Sequence, residues 1–274
     1  MAGSSIAMAA VSMGALGLAF AGGLYYAAKK FQVDSDERIE LLVNILPGYN
    51  CGACGFSGCS GLAQALVEGK ASPDACTPGG PTVAESVADV LETTAKSTKR
   101  KVAHVACRGN LSCDPRADYE GLQDCRAAHM VVGGHRMCVY GCLGFGTCVE
   151  ACQFDALTQD ERGVPIVDTS ACVGCGECAE VCPRGVIRMV EDGNHSFVQC
   201  NSPLEGKTVR TVCREGCIGC RACERVCRHE AVHVVDGLAS IDPDKCTGCG
   251  ECAAKCPTKC ILPAGTAFVV ADTA

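Results

Sequence analysis

The sequence predicts an α+β chain built from an N-terminal transmembrane helix, a small helical domain, and two tandem units of short strands and cysteine-bearing loops. Three observations predict it. Residues 1–28 carry no charged side chain. Cysteine accounts for 26 of the 274 residues, most of them in runs of one recurring spacing. Two stretches of those cysteines also align with each other, the mark of an internal duplication.

The first element is the apolar stretch 6–28 (IAMAAVSMGALGLAFAGGLYYAA), whose 23 residues suffice for a hydrocarbon core that needs ~20. Lys29 and Lys30 follow at once. Positive residues at that end place it on the cytoplasmic side, with Tyr25 and Tyr26 at the interface. Gly14, Gly17, Gly22 and Gly23 permit close packing against other membrane helices. A cleaved export signal competes, because Ala19-Phe20-Ala21 resembles a cleavage site, but the cations lie after the apolar stretch instead of before it. Residues 1–30 are therefore predicted to be a single-pass anchor.

Residues 31–81 are predicted to form the small domain. Charged and apolar residues alternate at helical spacing over 34–46, with Asp34 or Ser35 as N-cap and Pro47-Gly48 as the stop. Cys51-x2-Cys54-x4-Cys59 comes next and Cys76 closes the set, with a short helix over 60–69 between the third and fourth thiols. Four thiolates in this spacing predict one [4Fe-4S] site, and zinc is the competing metal because four thiolates alone do not separate the two. Residues 82–106 start in a helical pattern and carry Lys96, Lys99, Arg100 and Lys101. They are predicted to be a linker with a solvated basic face.

The tandem units are predicted over 107–199 and 200–274. Three runs read Cys172-x2-Cys175-x2-Cys178-x3-Cys182, Cys217-x2-Cys220-x2-Cys223-x3-Cys227 and Cys246-x2-Cys249-x2-Cys252-x3-Cys256. This is the ligand spacing of bacterial 2[4Fe-4S] ferredoxins, in which the fourth cysteine of a run serves the cluster of the partner run. The first three thiols are expected on one tight loop and the fourth at the start of the following helix. Pairing neighbours gives one cluster on Cys217, Cys220, Cys223 and Cys256 and another on Cys246, Cys249, Cys252 and Cys227. The duplicated stretch, Cys138-x3-Cys142-x5-Cys148-x3-Cys152, aligns with 213–227 except that Phe145 stands opposite Cys220. Cys138 is expected to replace the lost thiol, giving a cluster on Cys138, Cys142, Cys148 and Cys182 beside one on Cys172, Cys175, Cys178 and Cys152. A three-iron cluster, or none, is the alternative at that site. About five [4Fe-4S] clusters follow. Cys107, Cys113, Cys125, Cys200, Cys213 and Cys260 remain, with buried free thiols as the default reading.

Composition excludes several classes. A formal charge of −7 argues against nucleic acid as a partner. Structural zinc takes two ligands from each of two knuckles, unlike these triplets, and disulfide frameworks belong to short secreted domains. No C-x2-C-H haem attachment and no phosphate-cradling glycine loop is present, so flavin or nicotinamide chemistry must reside on another chain. With 4% aromatic residues and no Trp, much of the cohesion must come from the bound clusters. The six histidines have no ligand spacing, and no acid, base or nucleophile is expected to act.

The segment Leu46-Pro-Gly-Tyr-Asn-Cys51-Gly-Ala-Cys54-Gly-Phe-Ser-Gly-Cys59, with Cys76-Thr-Pro-Gly-Gly80 after it, resembles the four-iron domain of the B subunits of Rnf complexes. Gly121-Leu-Gln-Asp-Cys125-Arg-Ala-Ala, then Cys138-Val-Tyr-Gly-Cys142-Leu-Gly-Phe-Gly, looks like the long form with two ferredoxin-like units. Gln153 and Arg228 depart from the pattern, since proline commonly follows the fourth cysteine; proline donates no ligand, so cluster loss does not follow. The resemblance implies an electron-transfer subunit of a membrane-bound, ion-pumping ferredoxin:NAD oxidoreductase in a bacterial or archaeal inner membrane, with its cluster-bearing body in the cytoplasm. It implies soluble ferredoxin, a flavin- and NAD-binding subunit and membrane lipid as partners. A membrane-tethered polyferredoxin serving a hydrogenase or a redox-regulator-reducing complex is the alternative.

Overall fold

The computed structural model describes residues 2–30, 36–95, 99–193 and 195–265. Helix α1 (Ala2–Lys30) is one uninterrupted rod ending on Lys29 and Lys30. Over 11–30 every residue but Ala27 is exposed, so this apolar surface finds no cover within the chain.

The small domain packs three helices. Helix α2 (Glu37–Ile45) is capped by Asp36, whose carboxylate accepts the Arg38 N–H at 2.9 Å; Asp34 and Ser35 lie outside the described residues. Leu46 turns extended, as a residue preceding proline must. Helix α3 (Gly58–Val67) carries Leu62, Ala63 and Leu66 into a core with Leu42 and Leu46. Helix α4 (Gly80–Val90) completes that core through Val87, with Val83 and Val90 at its edge.

This corrects the linker expected over 82–106. Its first half is a wall of the small domain. Its last part is strand β1 (Lys101–Val105), which belongs to the first repeated unit. The basic face is not free either: Lys99 pairs with Glu191 at 2.8 Å and Arg100 with Asp192 at 3.0 Å.

The duplication is visible in the sheets. In the first unit, β2 (Leu157–Gln159) and β3 (Pro165–Val167) form an inner hairpin, and β1 pairs antiparallel with β4 (Ile187–Glu191). The second unit repeats this, with an inner hairpin of β6 (Val232–Val235) and β7 (Leu238–Ile241) and an outer pair of β5 (Phe197–Val198) and β8 (Ile261–Leu262). Asp236 and Gly237 connect β6 to β7 with φ of 48° and 76°, the Asp-Gly turn that matches strand twist. Because β5 pairs with β8, residues 197–198 belong to the second unit, slightly before the boundary expected at 200.

Between the strands lie single-turn helices. They are α6 (Thr147–Glu150), α7 (Glu177–Glu180), α9 (Ala222–Val226) and α10 (Glu251–Ala254), each preceded by a left-handed residue: Gly146, Gly176, Arg221 and Gly250. Helix α5 (Cys125–Met130) precedes them in the first unit, and α8 (Gly206–Val212) holds the corresponding place in the second. The units meet where His104 stacks on Phe197, with ring centroids 4.5 Å apart. They meet again at Glu215, which binds Arg108 at 3.1 Å, Ser112 at 2.9 Å and Arg162 at 3.3 Å.

Candidate iron–sulfur sites

The single-turn helices set the geometry of each run. Cys148, Cys178, Cys223 and Cys252 sit within α6, α7, α9 and α10. Cys152, Cys182, Cys227 and Cys256 follow just beyond the helix ends. The expectation of three thiols on a loop and a fourth opening a helix is thus corrected. The third is helical and the fourth is released as the helix ends. That arrangement sends the fourth thiol away from its own run.

In the small domain Cys51, Cys54, Cys59 and Cys76 surround one gap beside Leu62. The loop is strapped by Asn50, whose Oδ1 accepts the Cys59 N–H at 2.8 Å while Nδ2 donates to the Gly48 carbonyl at 3.1 Å. Burial pushes the Cys76 thiol up, and the thiols of Cys59, Cys54 and Cys51 add to the effect.

In the first unit Cys152 lies with Cys172, Cys175 and Cys178. Burial raises Cys178 to about 12, helped by these three neighbouring thiols. The Ala103 N–H points to the Cys172 sulfur at 3.5 Å. Gly174, in the loop of this run, has φ +71°, and a Cβ there would drive into the Lys101 carbonyl; only glycine lets the loop lie against β1. The small domain docks here, with Tyr49 edge-on to Phe154 at 5.0 Å and Cys51 close enough to raise Cys175.

The neighbouring gap is lined by Cys125, Cys142, Cys148 and Cys182. Cys138 is not among them, which corrects the expectation that it replaces the lost ligand. Phe145, the residue in the ligand's place, is taken up by an aromatic cluster with His135 at 4.9 Å and Tyr119 at 5.4 Å. Cys125, from α5, lines the gap there instead. Asp124 caps that helix through the Ala127 N–H at 2.8 Å and accepts from Thr147 Oγ1 at 2.9 Å, while the Cys125 N–H donates to the same Thr147 oxygen at 2.8 Å. Thr147 opens α6, so this strap fixes Cys125 opposite Cys148. The sequence did carry a signal: an aspartate immediately before Cys125 marks a helix start. Burial raises Cys148 to about 12, with Cys125, Cys182 and Cys178 as its charged neighbours. Cys138 faces elsewhere, its N–H donating to the Cys113 sulfur at 3.2 Å.

In the second unit Cys217, Cys220, Cys223 and Cys256 surround a gap that Cys260 also lines. Cys260 Sγ lies 3.7 Å from Cys256 Sγ, and the Cys260 thiol holds both Cys256 and Cys217 below the usual thiol range. Cys252 is raised by burial and then by Cys246 and Cys249, and Cys227 packs against the same core.

The arrangement fits cubane clusters. Thiols surround gaps, and backbone N–H groups are aimed at sulfur, as cluster sulfurs require.

Comparison with known proteins agrees. Residues 46–78 match the Fe-S cluster family, 165–188 the 4Fe-4S binding domain and 216–260 the 4Fe-4S dicluster domain. The B subunit of the Na(+)-translocating ferredoxin:NAD(+) oxidoreductase complex of Acetobacterium woodii is 44% identical over 91% of this chain and 75% of its own length. The B subunit of the ion-translocating oxidoreductase complex of Methanosarcina acetivorans is 42% identical over 89% of this chain and 94% of its own. The chain belongs to the Rnf B-subunit family. A third member, from the proton-translocating ferredoxin:NAD(+) oxidoreductase complex of Clostridium ljungdahlii, is 44% identical over 94% of this chain and 92% of its own. These similarities run through the small domain and both ferredoxin-like units, so the chain is a long-form Rnf B subunit carrying multiple [4Fe-4S] clusters.

Proposed function

We propose that this chain relays single electrons through [4Fe-4S] clusters as the B subunit of a membrane-bound, ion-translocating ferredoxin:NAD oxidoreductase. Five clusters are assigned to Cys51, Cys54, Cys59 and Cys76; to Cys152, Cys172, Cys175 and Cys178; to Cys125, Cys142, Cys148 and Cys182; to Cys217, Cys220, Cys223 and Cys256; and to Cys227, Cys246, Cys249 and Cys252. The observation that carries the reading is succession. Cys51 neighbours Cys175 and Cys178 neighbours Cys148, so the thiol group of the small domain borders the first unit and the two groups of that unit border each other.

Bound clusters supply one-electron chemistry. The chain's part is to hold them, exclude water through cores such as that of Leu42, Leu62 and Val87, and direct N–H groups to sulfur. Helix α1 is the membrane anchor, supported by its exposed apolar surface and by Lys29 and Lys30, which favour a cytoplasmic body. Soluble ferredoxin and a flavin- and NAD-binding subunit are the electron-exchange partners.

The test is the full chain purified anaerobically from membranes. It is expected to be brown, to contain iron and sulfide in equal amounts, to be reduced by a soluble ferredoxin, and to co-purify with multi-span subunits and a flavoprotein. Cys125→Ala should lose iron. A colourless, zinc-loaded protein refutes the cluster reading; a brown protein that co-purifies with a hydrogenase instead refutes the assignment to this complex.

A further inference from the structure

We propose that Cys107, Cys113, Cys138 and Cys213 hold a further [4Fe-4S] cluster that joins the two ferredoxin-like units. This rests on the reading that clusters fill the five other thiol groups.

The four thiols line one internal gap, whose wall also carries Cys200 and Cys142, the latter already assigned to the neighbouring cluster. Cys107, Cys113 and Cys138 come from the first unit and are at most 8% exposed. Cys213 comes from the second, where it ends α8. A Cβ built on Gly141 would lie 3.5 Å from the Cys138 sulfur and 3.6 Å from that of Cys107, so these two sulfurs flank one small residue. Cys113 and Cys213 are partners in an isolated antiparallel bridge, and a Cβ on Gly109 would meet the Cys213 sulfur at 2.6 Å. Cys138 and Cys213 are also equivalent positions in the duplication. Both copies of this position thus meet in one place.

The surroundings are those of a cluster, not of spare thiols. Two main-chain donors are aimed at these sulfurs: Cys138 N–H to Cys113 at 3.2 Å and Cys142 N–H to Cys107 at 3.3 Å. Thiols acting as small hydrophobes have no use for such donors, whereas cluster thiolates do. Arg184, 8% exposed, stands beside the gap. Its guanidinium donates to the carbonyls of Cys138 at 2.6 Å and Gly141 at 3.2 Å and to that of Gly133. The thiols of Cys138, Cys113, Cys142 and Cys107 are the ionisable neighbours that favour its charge, and His135 lies near it as well. A buried cation needs a nearby anion, and four iron-bound thiolates supply it.

Cys200 lines the same gap, but its charged neighbours are Cys217 and Cys107, on the side facing the second unit. It lies between this site and the next, and serves as the control.

The experiment is iron and sulfide quantitation, with low-temperature EPR, on the anaerobic full chain. Wild type is expected to hold about 24 iron atoms, six clusters of four. Cys113→Ala and Cys213→Ala, each on a different unit, should each lose between about one and about four irons, the smaller loss with a three-iron EPR signal, while signals from the other clusters persist. Cys200→Ala should keep the full content. If Cys113→Ala does not accumulate, Cys213→Ala decides. Wild-type iron near about 20 with both variants unchanged overturns this site and leaves the five-cluster relay standing; so does iron loss from Cys200→Ala alone. Wild type without iron overturns both.

Discussion

Cys260→Ala tests whether the chain tunes the potential of a cluster through a side chain that is not a ligand. Cys260 is 1% exposed, and its sulfur lies 3.7 Å from that of Cys256. The Gln199 N–H holds its carbonyl at 2.7 Å where β5 meets β8. A thiolate bound to iron carries no proton, so the hydrogen between the pair belongs to Cys260. Reduction places more negative charge on the ligand sulfurs, and a donor aimed at them favours the reduced state. An S–H hydrogen bond is worth about 0.5–1 kcal/mol. With 1.4 kcal/mol corresponding to 59 mV for one electron, its loss should lower the potential of that cluster by at most about 20–40 mV. The assay is an EPR-monitored redox titration of the full chain. Cys260→Ser keeps a donor and should recover most of the shift. A Cys260→Ala cluster that titrates at or above wild type refutes the reasoning.

Three further outcomes are expected. Gly58 has φ +82°, and a Cβ there would lie 2.7 Å from Asn50 Oδ1, the atom that accepts from Cys59; Gly58→Ala should therefore strip about four irons from the small domain. Gly69→Ala, strained at φ +69° but with open space around it, should keep them, and iron quantitation separates the two. His104 is held near 4, chiefly by burial, against ~6.5 when unfolded. Folded His104 is thus neutral, and its contribution to stability is complete above pH 6.5 and lost as pH falls towards 4. Denaturant unfolding should show about 2 kcal/mol less stability at pH 5 than at pH 7, a loss that His104→Phe removes. Deletion of residues 1–30 should move the protein to the soluble fraction with unchanged iron, because every residue of 11–30 except Ala27 is exposed.

Where the chemistry is local, the sequence makes it legible. The runs at 172–182, 217–227 and 246–256 and the uncharged stretch before Lys29 each state their meaning within a few residues. Cys125 is hidden because its role depends on a strap formed at a distance: Asp124, Thr147 and the turn of α5 bring it to Cys148, and nothing in the spacing 125–148 announces that. Cys138 misleads for the opposite reason, being near in sequence and turned away in space. Helix α4 reads as a linker although Val83, Val87 and Val90 stand at helical intervals. Such a stripe needs a partner before it means packing, and the partner is α2 and α3 of the domain before it. The basic residues at 99–100 look solvated because their carboxylate partners, Glu191 and Asp192, lie across a strand pair that only folding creates.

The helix-terminal cysteines explain why the two thiol groups of a unit interlock. A run that kept its fourth thiol would close on itself, and two such runs need not touch. Here Cys182 leaves the run 172–178 to lie beside Cys148, while Cys152 leaves α6 to lie beside Cys178, so on the proposed assignment neither cluster of the first unit can assemble without the other's loop in place. The second unit is interlocked in the same way through α9 and α10, whose cysteines share one core. Interlocking fixes the spacing within a unit but says nothing about the step between units. That step falls on Cys107, which neighbours Cys142 on one side and Cys200 on the other. The cluster proposed on Cys107, Cys113, Cys138 and Cys213 would bridge it, and three of those thiols, Cys107, Cys113 and Cys138, neighbour the buried cation Arg184. A duplicated ferredoxin would otherwise consist of two separate relays, and the cysteines outside the runs are what can make it one.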